Sequence, residues 1–316
     1  MGQMKTPAPE VFRPIIVAAW FGPLPSYLPL WAASCAANPT YTWRLLTDQV
    51  KASTEFAPGV VAVPFTMEEF ARRTQAATGV TPAMIRAYKV CDLRPLFGEI
   101  LADYFQGYTH WGHCDLDMLF GNLAAFLPPE VFVANDRVMA RGHFSVYRNT
   151  VAINHAYRIQ TKDSPAFEAV LRTPEACVFD EWNGIHRKLA AMGAKQYLPE
   201  IIADFDPNVH QLRLTRHPNE SDQAFLWKPG EAMKINRWTG AVRQRFAYLH
   251  FQKRAMPLRG SSTFLAKEGC VVSPRGFWPI PDYPVNLLTG WKLSRPPFNW
   301  KRMRTGLSRL KAKIVR

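Results

Sequence analysis

Through Asp115 the chain alternates short apolar runs with longer helical stretches, and two of the runs end on an acid. RPIIVAAW (13–20), YTWRLLTD (41–48), VAVPF within 60–65 and YTHWGHCD (108–115) read as strands. Between them, Tyr27 to Ala37 has helical character. Thr66 caps a second helix through Thr78, with Glu69 completing a capping box. Residues 82–106 read as mostly helical, with Pro95 breaking or kinking the run just after Arg94. Strands alternating with helices specify an α/β fold whose sheet is largely parallel. Such sheets bind ligands outside the carboxyl ends of their strands. Asp48, Asp115 and Asp117 all fall at such ends, so one crevice can receive them.

Beyond residue 130 the rhythm changes. VFVAN and HFSVYRN read as strands, Ser164–Arg172 and Glu181–Met192 as helices, and 211–251 as several short strands. Residues 255–300 are rich in Pro, Gly and Trp and predict loops with little regular structure. The expected organisation is one domain over 12–290, with an elaborated second half, and a basic tail over 291–316. Leu307, Leu310 and Ile314 in that tail have the spacing of an amphipathic helix.

Charge and cysteine content narrow the setting. The formal net charge is +14, and the last 16 residues carry seven Lys and Arg and no acid. That tail reads as an electrostatic foot for an anionic membrane surface or nucleic acid. No nucleic-acid module accompanies it, so nucleic acid is not the expected partner. Five cysteines without a CxxC pair exclude a disulfide framework and a zinc knuckle, and predict a reducing cytoplasm. A secretory leader is not expected from the first 14 residues, nor a bilayer span anywhere. GxGxxG after the first strand, GxxxxGK[ST], GxSxG and HExxH are all missing.

WGHCDLDMLFGN (111–122) carries the chemistry. In an extended segment Asp115 and Asp117 point the same way and Leu116 the other. Converging carboxylates repel unless a cation lies between them, and a divalent ion with phosphate ligands supplies one. The alternative is two solvated acids, one capping a helix that starts near Met118. The apolar runs on both sides favour the metal. In AYLHFQKR (247–254), Tyr248, His250 and Gln252 share one strand face. His250 reads as a metal ligand or as a hydrogen-bonded strand residue, and Lys253 as a phosphate contact. Arg86 and Lys89, with Asp92 and Arg94, read either as a diphosphate cradle or as a solvated helix face. In RGHFSVYRN (141–149), Gly, His and aromatics suit a sugar site or an ordinary strand. Asp180 and Glu181 open a helix, where N-capping explains Asp180.

Taken in order, PIIVAAWFGPLPSYLPLWAASC, WRLLTD, YKVCDLRPLFGEIL, GYTHWGHCDLDMLFGNL, GHFSVYRN, FDEW and LHFQKR resemble nucleotide-sugar-dependent glycosyltransferases of the GT-A fold. The chain looks most like a bacterial glycosyltransferase-like family of surface-polysaccharide gene clusters. The resemblance spans roughly residues 14–254. It implies a Rossmann-type mixed sheet with helices on both faces and a Mn²⁺ or Mg²⁺ held by Asp115, Asp117 and His250. It also implies a UDP- or GDP-linked sugar contacted by Asp48, Arg86, Lys89, Asp92, Asp115 and Lys253. Asp180 and Glu181 become acceptor-side catalytic acids, and the acceptor a glycan or a lipid-linked glycan. The late His and Lys hint at retention of configuration, and the aromatic loops after 255 at a lid. The competing expectations are a basic nucleic-acid-binding protein and a GT-A-like scaffold without activity.

Overall fold

The structure, a computed structural model, describes residues 11–252, 254–286, 289, 290 and 293. Lys253 and the tail from 294 onward, including the expected helix at 303–315, lie outside the described residues.

The chain opens with β1 (Pro14–Trp20), α1 (Leu28–Ala36), β2 (Thr42–Thr47), β3 (Thr54–Ala57), β4 (Val60–Pro64) and α2 (Met67–Thr78). β5 (His110–Cys114), β6 (Met118–Phe120), β7 (Arg137–Arg141), β8 (Phe144–Arg148) and β9 (Gln196–Tyr197) follow. One eight-stranded sheet runs β3-β4-β2-β1-β5-β8-β7-β9. Its centre, β4-β2-β1-β5, is parallel; β3 pairs antiparallel with β4, β8 antiparallel with β5 and β7, and β9 parallel with β7. β1 explains why its sequence is apolar without alternation: both faces are covered. Ile16 and Ala18 share a core with Trp31 and Cys35 of α1. Ile15 and Val17 share the opposite core with Phe70 of α2 and with Phe97 and Ile100. The fold is therefore a mixed α/β, Rossmann-like sheet with helices on both faces. Gly112 sits in the middle of β5 because a side chain there would meet the Ser145 carbonyl at 2.6 Å and Ile16 at 2.7 Å.

The second half adds β10 (Ile202–Asp204), β11 (Gln223–Lys228), β12 (Glu231–Asn236), β13 (Val242–Phe246), β14 (Tyr248–His250), β15 (Cys270–Ser273) and β16 (Gly276–Trp278). β13-β12-β11-β15-β16 form an antiparallel sheet, and β10-β14-β6 a small separate one. Phe225, Trp227 and Phe277 of the five-stranded sheet share a core with Leu30 of α1 and Leu119 of β6. The second half thus packs on the first. Among the described residues no helix is long and apolar enough to cross a membrane.

Several expectations change. Among the described residues after 255, the loops are interrupted by the helix Ser262–Glu268 and the β15–β16 hairpin. There, Pro and Gly punctuate short strands. Leu265, Cys270, Val272 and Phe277 there pack into the core shared with α1 and β6, and Phe277 meets Tyr27 edge-on at 5.8 Å. VFVA belongs to a helix, Pro129–Ala134, because Pro128-Pro129 starts one. Residues 87–96 are a 3-10 run that includes Pro95, since successive tight turns tolerate one missing donor better than a continuous α-ladder does. Met118 begins a strand rather than a helix because β14 is there to pair with it.

Candidate functional site

A cleft of about 650 Å³ opens at the carboxyl ends of β1 and β5, the size of a small-ligand site. The end of β1 contributes Ala19 and Trp20 to its wall, the residue after it Phe21, and the turn after β5 Asp115, Leu116 and Asp117. Met118, Leu119 and Phe120 are fully buried and anchor that turn from below. β14 lies antiparallel to β6 with His250 opposite Met118, and the Phe251 amide donates to the Asp117 carbonyl at 3.0 Å. That pairing carries His250 to the acids.

Asp115, Asp117 and His250 offer ligand atoms that all lie within 4.8 Å of one another. Two carboxylate oxygens and one imidazole nitrogen fit a divalent ion of the Mn²⁺ or Mg²⁺ kind, the imidazole leaning toward Mn²⁺. His250 Nε2 lies 3.5 Å from Asp117 Oδ1, and Nδ1 lies 2.8 Å from Asp204 Oδ1. A carboxylate on the far nitrogen fixes the ring's orientation and raises its basicity. Gln252 holds the same Asp204 oxygen at 2.6 Å. Burial would lower the His250 pKa, but the bonds with Asp117 and Asp204 outweigh it and hold the imidazolium at about 10. Asp204 is the counterpart: burial would raise it, yet His250, Gln252 and Thr215 keep it below the usual carboxylate range. His143 stacks on His250 at 4.0 Å and pairs with the Tyr248 hydroxyl at 3.0 Å.

Arg94 joins this group to a second one. Its guanidinium is bonded to Asp115, to Asp180 Oδ2 at 2.9 Å and to the Gly142 carbonyl at 2.6 Å. Burial raises the Asp115 pKa and Asp117 adds to it, against the pull of Arg94. Burial pushes Asp180 up to about 7, with Arg94 opposing and Asp115 and Glu181 adding. Glu181 beside Asp180 is exposed and lines the same cleft.

The other expected residues fall elsewhere. Lys89 and Asp92 are buried and face away from the cleft. Lys89 Nζ donates to Asp92 at 2.8 Å, to the Val170 carbonyl at 2.8 Å and to the Glu175 carbonyl at 2.9 Å. Asp92 in turn accepts the amides of Cys177 and Phe179 at 2.8 and 2.9 Å. The pair ties the loop before Asp180 to the 3-10 run, so its role here is structural. Arg86 is exposed, outside the cleft lining. Asp48 is also outside it: its carboxylate accepts the Gly22 amide at 3.0 Å and pins the turn after β1. Asp180 is no helix cap; the turn Trp182–His186 begins without a side-chain cap. His113 is a fully buried strand residue, held neutral chiefly by burial. Arg94, read from the sequence as part of a diphosphate cradle, instead pairs with Asp115 and Asp180, and Asp204 is the residue the sequence reading assigned no role at the site. Asp204 carried one signal, a short apolar run ended by an acid, as in Asp48 and Asp115. A second cavity, about 500 Å³ between Gln211 and Leu293, has Glu220 as its acid, paired with Lys234 at 3.0 Å.

A family of unknown function (DUF6625) matches residues 16–281, nearly all of the described fold. The chain belongs to that family. No curated protein matches the chain. The family match runs from β1 past β16 and so takes in Asp115, Asp117, Asp180, Asp204 and His250.

Proposed function

We propose that the chain is a metal-dependent glycosyltransferase that moves a sugar from a UDP- or GDP-linked donor to a glycan or lipid-linked acceptor. The observation that carries this reading is the convergence of Asp115, Asp117 and His250 within 4.8 Å at the carboxyl end of β5. The resemblance to GT-A enzymes supplies the reaction class. A bound Mn²⁺ or Mg²⁺ would neutralise the donor diphosphate as it leaves. Asp115, Asp117 and His250 would hold the ion, and Asp204 aims the imidazole. Arg94 keeps Asp115 and Asp180 in fixed relation, which limits reorganisation during the reaction. Glu181, the exposed acid of the second group, takes the acceptor hydroxyl's proton, and Asp180 backs it. The enzyme works in the cytoplasm, peripheral on the inner membrane face, with its basic tail toward anionic lipid. Thermal unfolding with a panel of nucleotide sugars tests the reading. At least one UDP- or GDP-sugar should raise the midpoint with Mn²⁺ present and not with EDTA. A panel with no metal-dependent shift would count against the donor site.

A further inference from the structure

The segment from Cys177 to His186 is held by more bonds than a surface connection needs. Besides the grip of Asp92 and Lys89, Arg137 donates to the Asp180 carbonyl at 3.0 Å and Ser164 to the Gly184 carbonyl at 3.1 Å. The backbone it holds is strained. Val178 has φ 53°, a left-handed conformation that β-branched residues rarely adopt. At Gly184 any side chain would lie 1.9 Å from the Phe179 carbonyl oxygen. Strain of this kind persists where the surroundings over-determine it, and it gathers at ligand sites.

What this braced segment displays is apolar. Val178 is 41% exposed and Trp182 59%, and Tyr88 of the 3-10 run is 52% exposed. Tyr88, Val178 and Glu181 line the same cleft as the acids. His186 stacks on the Trp182 indole at 3.9 Å with 17° between planes, so it covers one face of the ring. The residue nevertheless keeps more than half of its surface exposed. Carboxylates adjoin it: Glu181 is the preceding residue, and Asp180 is one guanidinium away from Asp115 through Arg94.

We infer that Trp182, Val178 and Tyr88 form the docking platform for the acceptor, and that its occupant is a sugar ring of a glycan stacked on Trp182. The inference rests on the glycosyltransferase reading. A pyranose has an apolar C–H face and a rim of hydroxyl donors. An open indole with carboxylate acceptors beside it matches both. A bare acyl chain would leave those carboxylates desolvated and unmatched. Tyr88 and Val178 line the cleft together with Glu181, the residue before Trp182, so a ring held on Trp182 has a carboxylate of the cleft one residue away.

An immobilised glycan array probed with wild type, Trp182→Ala and Trp182→Phe tests this. Wild type should retain a discrete subset of glycans. Trp182→Ala should bind them at least about fivefold more weakly, the scale of one aromatic contact, while Trp182→Phe keeps most of the signal. Equal retention by wild type and Trp182→Ala, or no glycan held by wild type, would overturn the inference. The wild-type thermal response to UDP and GDP with Mn²⁺ is measured alongside. Its absence, with glycan binding still lost in Trp182→Ala, would sink the donor reading and leave the platform standing.

Discussion

His250 sits between two carboxylates, and each claims one ring nitrogen. In the metal-free protein that arrangement keeps a proton on the ring, with the imidazolium held at about 10. Metal must displace this proton, so binding and deprotonation are linked. The sign follows directly. Lowering pH restores the proton and weakens binding; raising pH favours the metal. Mn²⁺ affinity should therefore rise with pH between about 6 and 9, by up to about tenfold per unit for one proton released. Calorimetry in two buffers of different ionisation heat would show that proton, and a pH-independent affinity would remove His250 from the ligand set. Asp204→Asn should keep the ring but lose its anionic partner, weakening Mn²⁺ by about 10- to 100-fold. Asp115, Asp117 and His250 were legible because extended spacing and an acid after an apolar strand are local signals. Asp204 was legible only as a similar strand end; its pairing with His250 is made by the parallel register of β10 and β14. Lys89 and Asp92 show the opposite failure. Their three-residue spacing announced an ion pair, but nothing local announced that it would be buried.

That buried pair belongs to the scale of elements. The 3-10 run Ala87–Leu96 holds Lys89, Asp92 and Arg94 on one short stretch. The first two secure the loop before Asp180, and the third secures Asp115 and Asp180 themselves. Lys89→Met should strand a buried carboxylate and cost about 3–5 kcal/mol. Lys89→Met with Asp92→Leu removes the stranded charge and should recover part of that loss in urea unfolding. Equal loss in both variants would show that the amide bonds to Asp92, not the ion pair, carry the stability. β1, α1, β2, β4 and α2 were legible almost to the residue. Thr66 accepts the Glu69 amide at 3.1 Å, as the capping pattern implied. Three of the misread elements, β6, β15 and β16, share one cause: partners distant in the chain decide them. β6 is a strand because β14 pairs with it, and β15 and β16 are strands because β11 offers an edge.

The whole molecule is a Rossmann-like sheet with a second antiparallel sheet docked on α1 and β6, and a charge of +14. Half of that excess lies in the last 16 residues. Attraction of a basic segment to anionic lipid amounts to about 1 kcal/mol per Lys or Arg near the surface and is screened by salt. Full-length protein should float with phosphatidylserine-containing liposomes at low salt, and a chain truncated after Asn299 should not. Equal flotation would take the membrane role away from the tail.

Turnover of nucleotide sugars tests the central claim most directly. Nucleoside diphosphate release from a UDP- and GDP-sugar panel is followed with and without Mn²⁺, for wild type and Asp117→Ala. The account predicts release that needs the metal and falls at least about a hundredfold in Asp117→Ala. Undiminished release in EDTA, or in Asp117→Ala, would contradict it.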